Sequence, residues 1–187
     1  MDATRNPRLE NLLASLSLNL AQESTTAIED ASGLSGGAAV ALLALHEFLG
    51  DAHVGRLADV LGVTHSGAVR LVSQLEAKGL ASRRSGDDRR RVEVRLTPEG
   101  RRRAVAARTA RDAVIRQSIS RLGRDEAAAL ETLLSTLVET RVAARLDERQ
   151  RGKPVGAWWC RTCDFTACGR TKGRCPAQAT ADPDISP

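Results

Sequence analysis

Tyrosine is absent from this chain of 187 residues, and two phenylalanines and two tryptophans make up its whole aromatic content. Phe48 stands alone ahead of the late group Trp158, Trp159 and Phe165, so a phenolic ligand would find few side chains to stack on. No uninterrupted apolar run reaches the roughly 18 residues of a membrane-spanning helix. Met1, Asp2, Ala3, Thr4 and Arg5 lack the basic-then-apolar layout of a secretion signal. The expectation is a cytoplasmic protein with no membrane partner. Signatures of catalysis are missing too: there is no Gly-rich phosphate loop, no nucleophile beside a base and no carboxylate pair at a suggestive spacing, so an enzyme is not expected.

What is present begins with charge. Lys and Arg number 28 against 23 Asp and Glu, a net charge of +5, and the basic excess gathers in the middle and near the C-terminus. Such an excess favours a polyanionic partner. The length suits one ordinary domain plus an appendage, with enough chain to bury a core without disulfides.

Leu9, Leu12, Leu13, Leu16 and Leu20 recur at three- and four-residue steps, predicting a long amphipathic helix toward Asp30 that the stretch Ser32 to Gly37 stops. Val40, Leu42, Leu43, Leu45, Phe48 and Leu49 predict a second helix, ended by Gly50 and Asp51. Val54, Leu57, Ala58 and Leu61 form the apolar face of a short helix. Gly62 permits a tight turn, and Thr64 stands where an N-cap opens another helix carrying Val69, Val72 and Leu75. Two short helices joined in this way read as a helix-turn-helix. Leu80 to Ser85 and Val92 to Leu96 then read as strands around a charged tip, residues 86–91. Thr97, Pro98 and Glu99 start a helix through Leu122. Arg124 to Arg151 is the last, striped by Leu130, Leu133, Leu134, Leu137, Val138, Val142 and Leu146. The first and last helices carry surplus apolar faces of the kind a helical dimer interface covers, or that pack within one chain. The fold class expected is mainly α with a small β-wing: a winged helix-turn-helix flanked by N- and C-terminal dimerisation helices.

The helix opened by Thr64 offers His65, Ser66, Gly67, Arg70, Ser73 and Gln74 on the side away from its apolar stripe. These are base-reading chemistries: arginine can bond guanine through two atoms, glutamine can do so to adenine, and a glycine permits close approach. Arg83, Arg84, Arg89, Arg90, Arg91 and Arg95 crowd the wing, where guanidinium groups hold phosphates or enter a minor groove. Asp88 is placed to orient Arg90. Six arginines speak against a wing that only solvates itself or binds protein.

The run Leu61-Gly62-Val63-Thr64, then Arg70 through Leu80, then Asp87-Asp88-Arg89-Arg90 and Leu96-Thr97-Pro98-Glu99-Gly100 resembles the MarR family of winged helix-turn-helix regulators. The resemblance extends over about residues 8–150 and is strongest from Val54 to Gly100. It implies a homodimeric repressor with interlocked terminal helices, whose two recognition helices enter successive major grooves of a pseudo-palindromic operator in double-stranded DNA. A small-molecule effector is compatible with it. A peroxide-sensing cysteine in the first helix, known in some members, has no counterpart, because no cysteine precedes Cys160.

Beyond Gly152 and Pro154 the helical periodicity ends, and residues 155–178 form a separate extension with a tail, 179–187, expected to be disordered. Cys160, Cys163, Cys168 and Cys175 follow the pattern C-x2-C-x4-C-x6-C. Thiolates in this number suit tetrahedral zinc or an iron–sulfur cluster, and soft sulfur excludes magnesium and calcium. The compact start resembles a zinc knuckle. The final Cys175-Pro176 and the flanking Trp158, Trp159 and Phe165 suit cluster ligation. Metal-free thiol chemistry is a third reading. A zinc site would be a structural staple, whereas a cluster would make a redox sensor. The rival function is a metal-carrying or electron-transfer protein whose winged helix only docks it.

Overall fold

The computed structural model describes residues 6–49, 52–85, 92–153 and 156–182. Helix α1, Pro7–Ser32, starts with the Asn6 side chain accepting from the Leu9 amide at 3.1 Å and ends at the left-handed Gly33. It packs along α5, Pro98–Ile119. Helix α2, Gly37–Ala44, is apolar all round, and burial of Ala38, Ala39, Ala41, Leu42, Leu43 and Ala44 makes it the centre of the core. It runs on into a π-helical turn, Leu45–Leu49. Helices α3, Val54–Leu61, and α4, His65–Ala77, form the helix-turn-helix.

The wing is a three-stranded antiparallel sheet in the order β1-β3-β2, from β1 (Ala52–His53), β2 (Ala81–Ser85) and β3 (Val92–Leu96). Ala81 pairs with Leu96 and Ala52 with Val94. The two-residue β1 is an addition to the predicted hairpin. The expected end of the second helix at Gly50 and Asp51 lies outside the described residues. The wing tip, with Asp88, Arg89, Arg90 and Arg91, lies outside them too.

The motif Leu96-Thr97-Pro98-Glu99-Gly100 joins wing to helix through backbone contacts. Thr97 Oγ1 donates to the Gly79 carbonyl at 2.8 Å and accepts from the Gly100 amide at 3.0 Å, so one hydroxyl caps α5 and ties it to the end of α4. A Cβ at Gly100 would lie 2.0 Å from the Leu80 carbonyl oxygen, so only glycine lets this crossing close.

Helix α6, Arg124–Gln150, buries only Val142 of its residues and has α7, Pro176–Ala181, as its main partner within the chain. The tail expected from 179 is corrected here, because α7 continues three residues into it. Pro176 presets the first turn, Ala177 is buried, and the Thr180 hydroxyl donates to the Pro176 carbonyl at 2.8 Å.

Candidate nucleic-acid interface and the cysteine module

Helix α4 divides as its sequence predicts except at Val69, which was read into the apolar stripe but is exposed, since it faces the same side as Ser73 and Arg70. Ala68, Val72 and Leu75 are buried, while His65, Ser66, Arg70, Ser73 and Gln74 face outward and are exposed. Two of the predicted contact residues have local duties. Thr64 is the N-cap, its hydroxyl oxygen accepting from the Gly67 amide at 3.1 Å and lying 3.1 Å from the Ser66 hydroxyl. A Cβ on Gly67 would sit 3.2 Å from that Thr64 oxygen, so the glycine leaves room for the cap.

Arg83 and Ser73 are brought together. The Arg83 guanidinium pairs with Glu76 at 2.6 Å and donates to Ser73 Oγ at 3.1 Å and the Val69 carbonyl at 3.3 Å, lying across α4 from the wing. The Arg83 amide also donates to Glu76 at 3.1 Å. This clamp fixes the wing against the outward face of α4. Glu76 was not singled out by its sequence position; its place one turn beyond Ser73 and Val72 was the available signal. Arg84 is exposed beside the clamp, and Arg95 pairs with Glu93 at 3.5 Å.

The cysteine extension runs from Gly156 across the back of this unit as a strap. The Trp158 amide donates to the Val60 carbonyl of α3 at 2.8 Å. The Trp158 ring meets Arg56 of α3 at 4.5 Å on one side and Arg149 of α6 at 5.9 Å, and Phe48 packs edge-on against both Trp158 and Phe165. Gly62, at φ 64, sits so close beneath the strap that a Cβ there would lie 2.4 Å from the Ala157 nitrogen.

Charges that read as surface residues in the sequence hold the rest. Glu47 accepts from the Phe165 amide at 2.9 Å and pairs with Arg108 at 2.9 Å, and Arg108 reaches Asp164 at 3.5 Å. Arg111 donates to the Thr162 carbonyl, and Arg145 of α6 to the Ala157 carbonyl at 2.8 Å. Asp164 accepts from the Thr166 and Ala167 amides, each at 2.9 Å. The Ala167 amide first, and the Arg108 charge after it, hold its carboxyl below the usual range. A cavity of about 220 Å³ between strap and α6 is lined by Trp158, Trp159, Arg145, Arg149, Leu146 and Gln178, among others.

All four cysteines are free thiols gathered in one apolar cluster with Val142 and Ala177, flanked by Val138, Leu146, Phe48 and Phe165. Cys160 neighbours Cys163 and Cys175, and Cys168 neighbours Cys175. The bond from Cys163, then the Arg170 guanidinium 3.9 Å away and Cys175, bring the Cys160 thiol down to about 6 against the effect of burial. Cys163, as the partner that keeps its proton and is itself partly buried, is pushed up. Burial raises Cys168, whose thiol donates to the Phe165 carbonyl at 3.6 Å. Among the described residues no three Cys, His, Asp or Glu side chains already stand grouped as a finished metal site.

No single described helix is long and apolar enough to cross a membrane. A MarR-family model matches residues 32–91, from the end of α1 to just before β3. No sequence among curated proteins matches at a significant level. Among solved structures, a MarR family protein from Bacillus stearothermophilus is 28% identical with TM-score 0.61, over 72% of this chain and 96% of that one. The YusO protein of Bacillus subtilis is 24% identical with TM-score 0.61, over 69% of this chain and 91% of its own. A MepR mutant from S. aureus bound to an oligodeoxyribonucleotide is 21% identical with TM-score 0.55, over 72% and 99%. Each relative is matched nearly end to end, while more than a quarter of this chain has no counterpart in it. With the helix-turn-helix, the glycine-closed wing junction and the flanking helices all in place, the chain has the winged helix-turn-helix fold of the MarR-family proteins it is similar to, and its residues 32–91 match that family's model.

Proposed function

We propose that the protein is a homodimeric, sequence-specific repressor that sets its two α4 helices into successive major grooves of a pseudo-palindromic operator, with a thiolate-ligated metal centre, zinc or iron–sulfur, in its extension. The outward row His65, Ser66, Arg70, Ser73 and Gln74 carries the reading: it is exposed, rich in hydrogen-bonding groups, and braced by Arg83 rather than buried. Dimerisation is supported by apolar faces that one chain leaves in water. Leu9 of α1 is 60% exposed and Leu133 of α6 62% exposed, and Leu12, Leu13, Leu16, Leu134 and Leu137 share the condition. A small-molecule effector fits the same reading. A relative, CouR from Rhodococcus jostii RHA1, was solved bound to p-coumaroyl-CoA.

The test is selection of a binding duplex from a random pool, followed by anisotropy titration of wild type and Arg70→Ala. The selected duplex should read as an inverted repeat. Log affinity should fall with log salt by about 0.9 for each phosphate contacted, and Arg70→Ala should cost about 1–3 kcal/mol on that duplex. Equal affinity for the selected and a scrambled duplex would refute sequence-specific reading.

A further inference from the structure

We propose that Cys160, Cys163, Cys168 and Cys175 take one soft divalent cation, zinc, and that this ion sets the strap that locks α6 to the DNA-reading head. The inference rests on the regulator reading above for its effect on DNA, but not for the ion itself.

The strap is where the two halves of the chain meet. On one side it holds the head, through Val60 and Arg56 of α3, the turn at Gly62, and Glu47 and Phe48 of the π-helical turn. On the other it holds α6, through Arg145, Arg149, Val142 and the packing of α7. Since α7 is the main intrachain partner of α6, the orientation of α6 relative to the head is set within one chain largely by the extension.

The strap has little of its own to keep that shape. Between Gly156 and Cys175 its only regular structure is the 3-10 turn Arg170–Lys172, and the six-residue α7 follows. A segment so short and so poor in apolar side chains needs a staple to fold against its host. The four thiols sit at the centre of its contacts with α6, in one cluster with Val142.

The chemistry of the cluster selects the ion. Four soft thiols gathered in one cluster are the donor set that tetrahedral zinc takes, and they exclude the hard cations magnesium and calcium. Among the described residues the thiols are not already grouped as a metal site, and Cys163 and Cys168, both only partly buried, have the freedom to rotate onto the ion. Four thiolates around one Zn²⁺ carry two net negative charges, and the thiols release their protons on loading. The Arg170 guanidinium already lies against Cys160, and Arg161, Lys172 and Arg174 sit in the same segment.

The full-length protein, purified without oxygen or chelator, is assayed for zinc, iron and sulfide. It is then dialysed against EDTA under reducing conditions and reloaded with zinc. Trp158 and Trp159 are the only tryptophans in the chain and both lie in the strap, so intrinsic emission reports its docking. Affinity is measured for the duplex selected from the random pool. The expected result is about one zinc per chain, an emission shift to the red on removal, and a fall in affinity of about tenfold, within the usual range for coupled sites, with both changes reversed by zinc. The variant Glu47→Ala releases the Phe165 amide without touching a cysteine, and should keep the zinc while shifting emission and affinity in the same directions. Zinc that leaves with emission and affinity unchanged overturns the lock. Iron with sulfide, or no metal at all, overturns the single-ion site. A protein that selects no duplex would sink the regulator reading while the zinc and emission measurements still decided the site.

Discussion

Two glycines with nearly the same backbone conformation, Gly62 at φ 64 and Gly79 at φ 68, separate the cost of a left-handed residue from the cost of displacing the strap. Alanine at Gly79 meets no atom within 4 Å, so Gly79→Ala should lose only the conformational penalty, about 1–2 kcal/mol. Alanine at Gly62 has the same penalty, but its methyl falls 2.4 Å from the Ala157 nitrogen and 2.8 Å from the Ala157 Cα, both backbone atoms that cannot rotate aside. Overpacking of that kind adds about 1–3 kcal/mol. The pair should therefore differ by that second amount. Thermal melts at one fixed protein concentration should place Gly62→Ala below Gly79→Ala by about 2–4 °C for each kcal/mol of the difference, and its tryptophan emission should shift while that of Gly79→Ala does not. Equal losses of stability with identical emission would refute the close passage of the strap over the helix-turn-helix turn.

Gly100→Ala, which would add ~1 kcal/mol of helix propensity at an exposed site, should instead cost ~3 kcal/mol or more, because its Cβ would lie 2.0 Å from the Leu80 carbonyl oxygen; urea denaturation decides the sign. Thr64→Ala should cost about 1 kcal/mol through loss of the bond to the Gly67 amide, and Thr64→Ser should recover most of it in the same measurement. Leu133→Glu combined with Leu137→Glu withdraws two leucines from each partner of a dimer, about 6 kcal/mol at the low end, and weakens association more than a thousandfold. Sedimentation at micromolar concentration should then show a monomer, and an unchanged dimer would move the interface elsewhere.

The legible parts of the fold were those with their own periodicity or cap. The leucine stripe of α1, the two faces of α4, and the capping threonines Thr64 and Thr97 each occupy the place their spacing implied. Strand β1 escaped because two residues carry no alternation, and α7 because a six-residue helix rich in alanine has no stripe to read. The cysteines announced a cluster and the thiols do share one apolar site. Where that site docks was illegible, since Glu47, Arg108 and Arg111 look like ordinary surface charges until contacts spanning tens of residues place them against Phe165, Asp164 and Thr162. On the reading face, Ser73 and Arg83 were named separately as contacts, and only the folded chain shows that they hold each other.

The strap grips α3 and the turn at Gly62, and its contacts leave the outward row of α4 untouched. A partner seated on α4 therefore does not cover the strap, and a change in the strap does not compete with that partner for surface. Under the proposed lock, control exerted from there would act on a complex already formed. Its signature would be the lifetime of the complex rather than the rate of encounter, so that a bound protein would be shaken loose where it sits, without first having to fall off.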